Sequence, residues 1–191
     1  MSERHVRYGV PEYLELEETT RPQELVWGYV RDAPSPAPPH QDAVFRFTMA
    51  WHDHVEEHSL GQVLVGAMDC VLDAERALIV QPDALFVSAA REGIITDRVW
   101  GAPDLVLEVL SPKPRLGTLQ ERLGWFAAYG VRECWLYREF DRELEVICFE
   151  NGAPADRRLF GFHDRIISSV LPDFDLSCAA ILTTYRLRRR S

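Results

Sequence analysis

Lysine is nearly missing from this sequence. Lys113 is the one lysine in 191 residues, and arginine carries the rest of the positive side-chain charge. Positive charge as a whole is outweighed, with 21 Lys and Arg against 30 Asp and Glu and a formal net charge of −9. Such a chain does not draw a polyanion in from a distance. That weighs against a non-specific nucleic-acid binder, and leaves room for an acidic site that meets nucleic acid through a cation and a local arginine patch. Cysteine is sparse: Cys70, Cys134, Cys148 and Cys178 are scattered and form no CxxC pair. A chain of this length needs no disulfide framework, and a reducing compartment, the cytoplasm, is the expected location. No apolar run approaches the roughly 18 residues of a membrane span, and the segment MSERHVRYGV has no apolar core of a signal sequence. Neither GxGxxG nor GxxxxGK occurs, and Ser88 and Ser111 have no His and Asp at hydrolase-triad spacing.

What is present is an ordinary globular composition, 47% hydrophobic and 27% charged. Residues 1–22 read as a charged lead, 23–183 as a single domain, and 184–191 as a basic tail. Glu24–Val30 reads as a strand with a turn or bulge at Gly28. The prolines between Pro34 and Pro39 fit neither helix nor central strand, which makes that segment a stiff connector. From Gln41 to His58, Val44, Phe47, Trp51 and Val55 recur at helical spacing, with Gly61 the expected stop. Three strand-like runs follow, Gln62–Asp73, Leu78–Val87 and Asp104–Leu110, the last apolar enough to be covered on both faces. A second helix is predicted over Leu119–Tyr129, ending at Gly130. Strands are then predicted over Glu133–Arg138 and Glu143–Phe149, followed by a strand, a turn at Pro172 and a short helix over Ile166–Leu182. One mixed sheet flanked by helices, an α/β (α+β) fold, accommodates this order.

Chemistry is suggested by acids where acids are costly. Glu108 stands in the middle of Leu105-Val-Leu-Glu-Val-Leu110, where an ionised carboxylate left buried and unpaired costs several kcal/mol. Asp83 interrupts another apolar run, Val80-Gln-Pro-Asp-Ala-Leu-Phe-Val87. One divalent cation would account for an interior acid on each of two strands. Asp104 shares a strand face with Glu108, but is read as a turn cap after Gly101-Ala-Pro103. His40, near the first helix start, either borders the cleft or caps the helix. His54-Val-Glu-Glu-His58 fits the HxxEH pattern of inverted zinc peptidases, with Glu57 as base. The pattern is short and arises easily in a Glu-rich helix end, so a solvated helix terminus is the favoured reading.

The runs Gln81-Pro-Asp-Ala-Leu-Phe-Val-Ser88, Gly101-Ala-Pro-Asp-Leu-Val-Leu-Glu-Val-Leu-Ser-Pro112 and Ala128-Tyr-Gly-Val-Arg-Glu-Cys-Trp-Leu136 closely resemble the Uma2 family (DUF820). These are restriction-endonuclease-like proteins of the PD-(D/E)xK nuclease superfamily. Glu24-Leu-Val-Trp-Gly28, Ser35-Pro-Ala-Pro-Pro-His40, Val170-Leu-Pro172 and Leu176 extend the resemblance over about residues 23–183. It implies a restriction-endonuclease-like core that binds Mg²⁺ or Mn²⁺ through Asp83, Glu108 and the Val109 carbonyl, with Glu24 as an outer acid. It also implies hydrolysis of nucleic acid, with DNA the expected substrate. The superfamily lysine two residues after the second acid is Leu110 here. In Uma2-like proteins it comes from the next helix, where this chain has Arg122, four residues before Phe126; Thr118 replaces a frequent acid one turn earlier. Arginine supplies charge but no readily titratable proton, and Lys113 is a possible substitute. These departures motivate a runner-up, a catalytically impaired relative acting as a nucleic-acid-binding or dimerisation module. A homodimer is expected, from Trp27, Tyr29, Trp100 and Trp135 read as exposed and from the need to cut two strands.

Overall fold

The computed structural model describes residues 6–17, 22–32, 35–110 and 119–184. Two sheets lie at its centre. The smaller has the order β2 (Tyr29–Asp32), β1 (Gln23–Val26), β5 (Leu78–Val80), β4 (Cys70–Asp73), β7 (Val99–Trp100). The larger runs β11 (Ala153–Phe160), β10 (Glu143–Glu150), β9 (Glu133–Arg138), β8 (Leu105–Leu110), β6 (Ala84–Ser88), β3 (Gly61–Val65). Four helices accompany them: α1 (Val10–Leu14), α2 (Pro38–His58), α3 (Leu119–Tyr129) and α4 (Cys178–Thr184).

The single sheet expected from the sequence is therefore two, and the cause is local. Each long strand-like run breaks midway: Gln62–Asp73 becomes β3 and β4, and Leu78–Val87 becomes β5 and β6. Pro82 has no N–H to give to a ladder, and the chain turns there. The result is a long hairpin bent across both sheets, with β3 on β6 in one and β4 on β5 in the other. Alternation is the same on either side of such a bend, so periodicity does not reveal it.

The larger sheet is covered on both faces. Phe47, Trp51 and Val55 of α2 pack with Phe86, Leu105, Leu107 and Trp135 in one core cluster. Leu123, Trp125 and Phe126 of α3 pack with Leu85, Val106 and Leu136 on the opposite face, together with Val26 and Leu78 of the smaller sheet. Parallel pairing of β8 with β9 requires a crossover connection, and α3 supplies it.

Several sequence expectations need correction. Pro38 and Pro39 open α2 rather than precede it: Ala37 is extended at φ −74°, ψ 153°, and a proline at the first helical position forgoes only an N–H that has no intrahelical acceptor. The left-handed residue closing α2 is Ser59, at φ 53°. Gly61 instead starts β3, where an added Cβ would lie 2.1 Å from the Val87 carbonyl oxygen. In the lead segment, Val10 and Tyr13 of α1 are buried against Leu25 and Ile79. Trp135, read as exposed, is fully buried. The strand expected near Ile166 is reduced to one bridge, Arg165 to Ser177, and β11 was not foreseen from the sequence pattern. Ser111, Lys113, Thr118 and all of the basic tail beyond Thr184 lie outside the described residues. No helix among the described residues is long and apolar enough to cross a membrane.

Candidate active site

Strand alternation aims Glu108. Val106 belongs to the core face shared with α3, so Glu108, two residues past it on β8, points to that same side. Ala84 pairs with Leu107 in antiparallel register, which carries Asp83 next to Glu108. The Asp83 carboxylate accepts the Val109 N–H at 2.7 Å. It thus replaces the backbone acceptor lost where β6 begins. The interior acids of two adjacent strands meet at one end of the larger sheet.

A third acid arrives from the smaller sheet. Glu24 on β1 is 1% exposed, and its Oε1 accepts the Gln81 N–H at 2.7 Å, at the bend of the long hairpin. Arg122 on α3, 6% exposed, stands between the acids. Its Nε donates to Glu108 Oε1 at 2.7 Å and its Nη1 to Glu24 Oε1 at 2.8 Å, while its guanidinium carbon lies 5.4 Å from the centre of the Phe126 ring. His40, in the first turn of α2, places Nε2 3.3 Å from Asp83 Oδ2. Of the two sequence readings of His40, the cleft border matches this position.

The electrostatics follow from two carboxylates, Glu24 and Glu108, sharing the Arg122 guanidinium, with Asp83 and His40 paired beside them. Burial pushes the Glu108 carboxyl up to about 8; Arg122 works against this, and Asp83 and Glu24 reinforce it. Burial alone would make Arg122 easier to deprotonate, but Glu108 and Glu24 outweigh it and hold the proton more firmly than usual. For His40, burial favours the neutral ring, yet Asp83 and then Glu108 prevail and raise its pKa.

Asp104 belongs elsewhere. Fully buried at the far end of β8, it accepts the Ser88 N–H at 2.8 Å and a guanidinium hydrogen bond from Arg91 at 3.2 Å. Burial works to raise its pKa, but these donors prevail and hold it below the usual range. Its stabilisation is therefore present above the unfolded value of 3.8 and fades as pH falls through the lower folded one. Asp104→Ala should cost ~1–3 kcal/mol by stranding those donors, seen as a lowered melting temperature, and leave Mn²⁺ affinity unchanged. A calorimetric titration in which Asp104→Ala weakens Mn²⁺ binding would contradict this separation.

His54 and His58 are engaged at the other end of α2. His54 Nε2 donates to the Pro172 carbonyl at 2.9 Å, and His58 Nδ1 donates to the His54 carbonyl at 2.9 Å. Both acceptors are carbonyls, so these nitrogens carry protons and present no lone pair to a metal.

The model of a family described as "Uma2: Putative restriction endonuclease" matches residues 10–179. The chain belongs to the Uma2 family. Its fold is similar to the crystal structure of "a putative nuclease belonging to DUF820 from Anabaena variabilis ATCC 29413", with 17% identity, a TM-score of 0.74, and coverage of 92% of this chain and 97% of that one. No curated protein matches. This Uma2 chain thus has a nuclease-like fold in which Glu24, Asp83, Glu108 and Arg122 converge.

Proposed function

We propose that this Uma2 protein is a divalent-metal-dependent endonuclease whose centre is the Glu24, Asp83, Glu108 and Arg122 cluster. The observation that supports this reading best is that Glu24 and Glu108, from two sheets, share one buried guanidinium, while Asp83 is held beside Glu108 by the Val109 N–H. A fold with no use for the cluster would be as stable, or more so, with apolar residues there.

The donor set suits a hard cation. Its ligand atoms are carboxylate oxygens, which favour Mg²⁺ or Mn²⁺ over zinc. Once Glu108 gives up its proton, and with His40 neutral, three carboxylates less one guanidinium leave two formal negative charges for a divalent ion to balance. Among the described residues no three Asp, Glu, His or Cys side chains form a ready cage. Mg²⁺ is commonly held by one or two carboxylates with waters completing the shell. Asp83 and Glu108 would hold it, with the Val109 carbonyl as a further ligand and Glu24 kept outside by Arg122. Such an ion supplies Lewis acidity to a phosphodiester oxygen and makes a neighbouring water more acidic.

The chain's own groups supply the rest. Arg122 remains protonated throughout and offsets charge that develops on the phosphate, as a preorganised dipole or ion does at little reorganisation cost. It takes no proton, so proton transfer from water falls to solvent or to another group. Nucleic acid, DNA in the first instance, is the substrate class. A homodimer would present two such centres to a duplex, and its mass by light scattering should exceed 21.9 kDa. Of the four aromatics expected at such an interface, Tyr29 and Trp100 are exposed. Four free cysteines, three of them buried, support a reducing, cytoplasmic setting.

The test is cleavage of circular and linear DNA, single-stranded DNA and RNA, with Mg²⁺ or Mn²⁺ and with chelator. Metal-dependent cleavage that Asp83→Asn and Glu108→Gln both remove is the expected result. Cleavage that survives either substitution would end the assignment, and no cleavage of any substrate would favour the binding-module alternative.

A further inference from the structure

The β1–β2 hairpin leads away from Glu24 along a line of arginines and aromatic rings. Glu24 pairs with Arg31 and Val26 with Tyr29, and directly opposed residues share a face. Arg31 and Tyr29 therefore lie on the α3 side with Glu24; Arg31 Nη1 is 3.8 Å from Glu121 Oε2 on α3, long for a hydrogen bond. At the hairpin turn, about 10 Å further along the strand, Trp27 and Gly28 both take positive φ, 52° and 86°. Such a turn favours Asn or Gly at its first position, and a tryptophan there is strained. Strain of this kind persists where the side chain is needed.

Two arginines sit over these rings. The Arg76 guanidinium carbon lies 4.5 Å from the centre of the Trp27 ring and that of Arg7 lies 5.2 Å from the centre of Tyr29. Arg7 also reaches the Trp27 carbonyl, at 3.5 Å, and Trp27 is braced edge-on by Trp125 at 6.0 Å. Arg7, Trp27 and Arg76 line an open cleft of about 470 Å³, with Glu75 as its acid. Each guanidinium is thus a flat, charged plate held over a ring, with part of its conformational freedom already gone.

We propose that this hairpin is a docking track for one strand of nucleic acid leading to or from the acid cluster. Bases stack on the guanidinium plates of Arg7 and Arg76, and phosphates meet Arg7, Arg31 and Arg76. Single strands are bound in this way: base stacking on aromatic or guanidinium planes tolerates any sequence, and a positive groove follows the backbone. A line of arginines beside the cluster fits a polyanion despite the overall charge of −9. The inference rests on the nuclease reading only for where the strand leads, because binding is measured without cleavage.

The experiment is fluorescence anisotropy of a labelled 15-nucleotide oligothymidylate with the full chain carrying Glu108→Gln, in chelator. Trp27→Asn suits the positive φ, which offsets part of the packing lost beside Trp125, and should weaken binding about tenfold, the scale of losing one stacking platform, because the Arg76 plate loses the ring that holds it. Arg7→Ala combined with Arg76→Ala should reduce the slope of log K against log salt by about 1.4, at ~0.7 for each single-strand phosphate that is no longer neutralised. Unchanged affinity for Trp27→Asn, an unchanged salt slope, or equal displacement of the strand by polyglutamate would each overturn the track. Trp27-dependent binding in a protein that cuts nothing would sustain the track and sink the nuclease reading. Cleavage with no Trp27 dependence of binding would do the reverse.

Discussion

Replacing Arg122 with methionine is expected to cost this chain both stability and rate. Methionine preserves much of the length and apolar stem of arginine, so packing beside Phe126 is largely kept and the charge is what disappears. Glu24 is then left in a buried pocket without its cation, and Glu108, whose carboxyl burial already raises, loses the donor that opposed that rise. Breaking a buried ion pair by removing one partner costs ~3–5 kcal/mol. At roughly 2–4 °C per kcal/mol for a chain of this size, the melting temperature in chelator should fall by on the order of 10 °C. Adding Glu24→Gln to Arg122→Met should recover part of that loss, because removing both members of a buried pair is often close to neutral. At a temperature where the variant remains folded, cleavage should slow by ~10²–10³, the usual consequence of deleting one placed electrostatic stabiliser. Arg122→Lys should cleave at least as well as wild type, because it restores a titratable ammonium near the acids. It should nonetheless be less stable, since an ammonium lacks the planar fork that spans both acids. A melting temperature unmoved by Arg122→Met would show that the ion triad does not stabilise the fold, and the electrostatic role would fall with it.

Arg122 also marks how far the sequence can be read. That an acid at position 108 needs a partner follows from its apolar flanks alone. That Asp83 is its neighbour follows from strand register once β6 and β8 are known to pair. The limits of α3 and β9 were legible because Gly130 breaks the helix and the apolar pattern on either side is continuous. Pairing of non-adjacent segments was not legible. Nothing in Glu24-Leu-Val-Trp says that β1 belongs to a second sheet, and the bridging of Glu24 and Glu108 by one guanidinium depends on that sheet folding over α3. His40 was undecided for the same reason: its distance to Asp83 is set by how α2 crosses the larger sheet. Asp104 and Glu108 sit on one strand with the same parity. What separates them is Arg91 and the Ser88 amide, which come from the 3₁₀ turn Ala89–Ile94 and its leading residue. Sequence spacing holds no trace of that. Trp135 is not placed by its sequence pattern, because a tryptophan ends a short polar–apolar run at either a surface or a core. Its indole N–H reaches the buried Glu133 carboxylate at 2.7 Å, which lets the whole residue go inside.

The affinity of the acid cluster for Mn²⁺ should climb steeply with pH and then level off near the point where Glu108 ionises. In the absence of a cation its carboxyl is raised from 4.5 to about 8, by burial first and by Asp83 and Glu24 after it, with Arg122 opposing. The sign for stability follows from linkage. A proton bound more tightly in the folded state favours folding most fully below the unfolded value of 4.5, and that contribution is lost as pH rises from there to about 8. The cation-free protein should therefore lose stability over this interval on account of Glu108, whereas the Asp104 contribution runs the opposite way at acid pH. A cation that takes Glu108 as a ligand must displace this proton. Apparent affinity should then rise by up to tenfold per pH unit, about a hundredfold from pH 6 to 8, and flatten above it. Titration calorimetry in buffers of different ionisation enthalpy should detect close to one proton released per Mn²⁺ near pH 6.5 and far fewer at pH 9. Glu108→Gln should remove both the slope and the released proton, while Asp104→Ala leaves them intact. A cation affinity that is flat from pH 6 to 8 in the wild-type protein would show that no Glu108 proton is displaced on binding, and would overturn this coupling.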